Sequence, residues 1–181
     1  MKKIIKNFLL LSLFSTFIYY SCTSESPTSS GNSCDQVCKD QHVGYGITYL
    51  VNSIWGQNFS YVYGNVDTTV NGPKGGTAHI IGYIENYFPY TVNLTCDLLD
   101  CKDSNEYFSL TLNGPLHVTG DFSSYDKQVT LNSVSELAYK GTVGINVNAS
   151  VNDTCQISIN ASQYSVTGTI CERIFSYYYY R

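Results

Sequence analysis

The sequence predicts an all-β fold, a single antiparallel domain of about 8–10 strands forming a sandwich, a barrel or one curled sheet. Apolar and polar residues alternate with a period of two over several stretches, which places one face of each strand in a core and the other in water. Clusters of Gly, Asn, Asp and Pro punctuate those stretches as turns. Past about residue 45 no segment shows helical periodicity, which leaves strands as the remaining element.

A segment of different character comes first. Met1 to Lys6 carry three lysines and no acid, and Phe8 to Tyr20 are apolar or aromatic except at Ser12, Ser15 and Thr16. This is the anatomy of an export signal over residues 1–21. A spanning helix needs roughly 20 apolar residues, and this stretch falls short of that length.

Cys22 follows directly, behind the small Ser21. The run "FIYYSC" resembles a bacterial lipoprotein signal, with Tyr19 and Tyr20 where that family usually has a large aliphatic and a small residue. The resemblance implies that Cys22 is acylated on sulfur, freed from the leader and acylated again on nitrogen, anchoring the chain in the cell envelope. Thr23, in place of the Asp that retains many such proteins in the inner membrane, implies the outer membrane. The other route is an ordinary signal peptidase cutting after Ser24, which leaves a freely secreted chain. Residues 22–33 then read as an anchor and tether, since TSESPTSSGNS has no aliphatic or aromatic side chain to bury and is expected to be disordered.

The β domain spans 34–181. Its clearest strands are 90–98, 108–112 and 143–151, where alternation is regular. Weaker candidates are 47–54, 59–66, 77–85, 116–122, 128–137, 156–160 and 164–175. "VNGP" at 70–73 returns as "LNGP" at 112–115, which reads either as the turn chemistry that Asn-Gly supplies anywhere or as a duplicated hairpin.

Seven cysteines are an odd number for an exported chain, and Cys22 removes one. Cys34, Cys38, Cys96, Cys101, Cys155 and Cys171 remain as disulfide candidates, because exported thiols are usually oxidised. A Cys34 to Cys38 bridge is geometrically allowed. Cys96 and Cys101 flank a stretch that reads as a solvated loop closed by a bridge. Cys155 and Cys171 flank a hairpin, yet alternation puts them on opposite faces unless a bulge, for which Gly168 is the candidate, intervenes.

No metal, cofactor or catalytic group is assigned. Cys34, Cys38 and His42 stand four apart and would share a helix face, but no fourth ligand for zinc is evident. Asp97, Asp100, Asp103 and Glu106 cluster without the spacing or glycine of a calcium loop. His79 and His117 fall on polar strand phases, with no nucleophile motif nearby. "NGPKGGT" lacks the ending of a phosphate loop and reads as a hairpin turn.

Charge excludes one partner class. Without the leader, seven Lys and Arg face fourteen Asp and Glu, so nucleic acid is not an expected partner. The remaining unusual feature is tyrosine, seventeen in all, ending in Tyr177, Tyr178, Tyr179 and Tyr180. These four are the candidate interface, because tyrosine joins a large apolar face to a polar tip. The expectation is a lipid-anchored, non-catalytic structural, adhesive or binding domain, whose partners are the membrane through its lipid and an envelope protein or apolar small molecule. The alternative is a carrier holding a lipid or other apolar ligand in a barrel or curled-sheet cavity. A secreted hydrolase ranks last.

Overall fold

The computed structural model describes residues 34–87, 90–122, 127–145 and 148–179, so Cys22, Tyr180 and the segments expected to be leader (1–21) and tether (22–33) lie outside the described residues. Among the described residues one helix precedes ten strands: α1 (Gln36–Asn58), β1 (Gly64–Asn71), β2 (Thr77–Ile84), β3 (Thr91–Asn105), β4 (Phe108–Asp121), β5 (Gln128–Ser133), β6 (Leu137–Val143), β7 (Ala149–Cys155), β8 (Ile157–Ser162), β9 (Ser165–Ile170) and β10 (Arg173–Tyr178). The strands form one antiparallel sheet in the order β1-β2-β3-β4-β5-β8-β9-β10, with β6 and β7 branching from β4. The predicted all-β class holds, as a curled sheet that does not close into a barrel.

The helix corrects the expectation of strands throughout. Residues 47–54 lie inside α1, whose start is set by Asp35, which accepts a hydrogen bond from the Cys38 amide at 2.9 Å. Val43, Ile47, Leu50, Val51 and Ile54 bury one broad face of the helix. The sheet wraps around it, since α1 touches β1, β3, β4, β6, β8, β9 and β10. Among the described residues, no helix is long and apolar enough to cross a membrane.

Several strand boundaries differ from the sequence reading, each for a local reason. Residues 59–66 are mostly the connection from α1, with β1 starting at Gly64. The stretch 143–151 is two strands, β6 ending at Val143 and β7 starting at Ala149. The stretches 128–137 and 164–175 likewise split, the second at a turn where Cys171 and Glu172 take left-handed φ of 50° and 66°. "LNGP" is not a turn but the middle of β4. There the ladder passes from β6, which pairs with 108–113, to β5, which pairs with 116–121, and Pro115 supplies no amide at the fork.

Opposite that fork β3 carries a bulge between Leu98 and Cys101, with Asp100 at φ 47° and its amide donating to Asn113 Oδ1 at 2.7 Å. The "NGPKGGT" hairpin folds against this bulge as expected of a turn. Gly76 sits there at φ 74°, where a Cβ would lie 1.9 Å from the Asp100 carbonyl oxygen.

The six described cysteines sort into two bridges and two thiols. Cys34 bonds Cys38, and Cys155 bonds Cys171. Ile157, Ile159, Val166 and Ile170 do share the buried face, and Gly168 pairs with Ile159 without a bulge. The ladder instead ends at Ile170, and the left-handed turn at Cys171 swings its sulfur back toward Cys155. Cys96 and Cys101 are buried free thiols, which corrects the bridged loop expected there.

Register explains why these two cannot meet. Cys96 pairs with Leu116 and Cys101 with Leu112, positions separated along β4 by about 13 Å at strand rise, whereas a bridge needs Cα atoms within about 7 Å. Burial pushes the Cys101 thiol up to about 11 and Cys96 to about 12, so both stay protonated and unreactive. A Cys22→Ser chain titrated with a chromogenic disulfide is expected to show no reactive thiol when native and two after denaturation. A denatured count of zero would mean that the two are bridged.

Candidate functional site

Strand register collects one set of strand ends along a single rim. Gly64 pairs with Ile84 and Ile84 with Val92, so the start of β1, the end of β2 and the start of β3 coincide. Thr91 pairs with Asp121, Asp121 with Gln128 and Gln128 with Ser162, which continues the rim through β4, β5 and β8. Ser165 pairs with Tyr178, which completes it at β10. The helix C-terminus lies at this rim, because Trp55 stacks on Phe122 just past β4 with centroids 4.4 Å apart. The helix N-terminus lies at the other, where Asp40 meets Arg173 at the start of β10.

Tyrosine is distributed unevenly between the rims. Tyr61, Tyr63, Tyr83, Tyr87, Tyr164 and Tyr178 are exposed and belong to the rim at the helix C-terminus or the residues beside it, with Tyr61 at 88% and Tyr87 at 72%. Exposed large apolar residues toward the opposite rim are aliphatic, among them Leu99, Val134, Ile145 and Ile174.

The C-terminal tyrosines divide between two roles. Tyr177 and Tyr179 turn inward onto Tyr45 of α1, at centroid distances of 5.1 and 5.9 Å, and Tyr107 and Phe108 close on the same ring at 6.0 and 5.7 Å. They pack the terminal strand against the helix, as alternating side chains do. Tyr178 faces outward, which leaves one described ring of the candidate interface for a partner.

Beside this aromatic cluster an open cleft of about 350 Å³ lies between α1 and the rim. Tyr45, Tyr49 and Asn52 line it from successive turns of α1, with Phe122, Lys127 and Tyr179 across from them. Lys127 bonds Asn52 Oδ1, and its Nζ stands 5.5 Å from the centroid of the Phe122 ring. Burial lowers its pKa to about 8. No carboxylate lines the cleft among the described residues. By contrast the space between α1 and the concave sheet, at Val51, Ile54 and Ile80, is about 10 Å³.

Other residues singled out by sequence do not converge. His42 is buried against Tyr177 and Tyr107, and desolvation lowers its pKa, while Cys34 and Cys38 are oxidised to each other. His79 Nε2 meets Asp67 Oδ1 at 2.9 Å and His117 Nε2 meets Asn93 Oδ1 at 2.8 Å, both on the exposed sheet face. Asp97 is exposed, Asp100 holds the bulge and Asp103 is buried, so the acidic cluster points to different sides. Asp153 lies beside Cys155 and Cys171, but both sulfurs are in the disulfide and carry no thiolate charge.

Sequence reasoning missed Lys127, Asn52, Tyr45 and Tyr49. The last three stand at i, i+4 and i+7, a helix-face spacing that becomes visible only once 36–58 is recognised as helical. No known protein family, no curated protein and no solved structure matches the chain.

Proposed function

We propose that this chain is an exported, lipid-anchored binding domain of the bacterial envelope that engages a protein partner through its tyrosine rim. The observation that carries the reading is the gathering of exposed tyrosines on one rim while the other stays aliphatic. Tyrosine offers a large contact area with few rotatable bonds and a polar tip, a side chain favoured at protein interfaces. The position of the rim supports the same reading. The anchor joins the domain at Cys34, and the 23 residues of α1 place about 34 Å of helix between that end and the rim. A carrier role with the ligand inside the curled sheet has less support, because α1 fills the concave face and the space left there is about 10 Å³, against the roughly 300 Å³ of a ligand cavity.

Photo-crosslinking in the producing cells tests this. Benzoylphenylalanine in place of Tyr87 is expected to give a discrete protein adduct, and the same group in place of Val134 on the opposite rim to give none. A Cys22→Ser chain should lose its acyl mass, leave the membrane fraction and lose the adduct if the partner is membrane-bound. Equal smears from both positions, or no adduct from Tyr87, would sink the rim reading.

A further inference from the structure

We propose that the cleft between α1 and the rim is a binding site for a small anion carried on a flat apolar body, with Lys127 holding the acid group and the rings of Tyr45, Tyr49 and Tyr179 holding the body. This goes beyond the rim reading and does not depend on it. The volume of about 350 Å³ falls in the range of small-molecule sites. Such sites combine apolar and aromatic walls with a few placed polar groups, and this one has four aromatic side chains around one ammonium and the Asn52 and Gln163 amides.

The charge balance selects an anion. Lys127 has three N–H donors; one reaches Asn52, and the Phe122 ring covers a further side of the ammonium. An ammonium held this way, partly out of water and with no carboxylate among the described lining residues, gains from an incoming carboxylate both a charge-assisted hydrogen bond and compensation for its lost hydration. The flat walls select the rest of the molecule, since a planar body offers both faces to rings on α1 and after β10.

Among the described titratable groups lining the cleft, the ammonium is the switch. Tyr45 and Tyr49 face it from α1 and Tyr179 from the end of β10, and burial holds Tyr45 and Tyr179 above the usual phenol range. Asp121 ends β4 one residue before Phe122 and does not line the cleft. The protonated fraction of Lys127 falls as pH rises through about 8, and anion affinity falls with it.

Equilibrium dialysis of the full chain with 2-naphthoate and its neutral isostere 2-naphthamide tests the site. At about pH 6.5 the naphthoate is expected to bind at least about tenfold more tightly than the amide, as a charge-assisted bond requires. Lys127→Met should erase that preference while leaving amide binding in place, and Tyr49→Ala should weaken both ligands. At about pH 9.5 the wild-type preference should also vanish. Equal affinity for the two probes, a preference that survives Lys127→Met, or no binding of either at about 1 mM would each overturn the proposal.

Discussion

Replacing Arg173 with Leu is expected to cost about 2–3 kcal/mol of stability, less than the about 3–5 kcal/mol for a fully buried ion pair, because Asp40 is buried but the Arg173 side chain is 38% exposed and screened by solvent. The carboxylate of Asp40 is 2% exposed and accepts two parallel bonds from the guanidinium, from Nε at 2.8 Å and Nη2 at 3.0 Å. Those bonds hold the guanidinium above its usual pKa range. Without Arg173, Asp40 keeps a single side-chain bond from Gln36 at 2.8 Å and remains a charge out of water. The pair also joins the second turn of α1 to the first residue of β10, so the loss should appear as detachment of the helix end that carries Cys34. Urea melts of Arg173→Leu and of Asp40→Asn/Arg173→Leu check it. The double variant is expected to be the more stable of the two, because it removes the stranded charge. A single variant within about 0.5 kcal/mol of wild type, the level of an ordinary surface substitution, would mean that the pair contributes nothing.

How far the fold is legible in the sequence depends on what surrounds each element. β3 over 91–98 and β4 over 108–112 alternate clearly because one face meets the core and the other meets solvent, so pattern and environment coincide. The helix fails the same test because the sheet wraps around it. Its buried set includes His42, Val43, Gly44, Gly46, Ile47, Thr48 and Leu50, which leaves little contrast between faces. Three glycines, Gly44, Gly46 and Gly56, and several β-branched residues lower its intrinsic preference further, and tertiary packing overrides that preference. The bridge from Cys155 to Cys171 turns on one left-handed residue that alternation cannot foresee. Lys127 is illegible for a related reason, because its burial depends on packing beside Asn52 of α1, 75 residues away in sequence.

Two of the glycines that obscure the helix, Gly44 and Gly46, have a packing role, and the second large effect follows from it. A Cβ at Gly44 would lie 2.3 Å from two ring carbons of Phe175, a β10 residue 2% exposed. In an exposed helix, Gly→Ala stabilises by about 0.5–1 kcal/mol. Here Gly44→Ala is expected to destabilise by about 1–3 kcal/mol, since a buried aromatic ring must move and the overpacking outweighs the propensity gain. Phe175→Ala, which empties the same contact from the other side, should cost about 3–5 kcal/mol. The two substitutions are coupled through one space. With the ring gone, the methyl of Gly44→Ala enters a void, so in the Phe175→Ala background the change should turn neutral or stabilising, and the sign reversal is the readout. Chemical denaturation of the four chains in this cycle measures it. Additive losses would mean that Gly44 and Phe175 do not touch and that α1 docks against the sheet in another register.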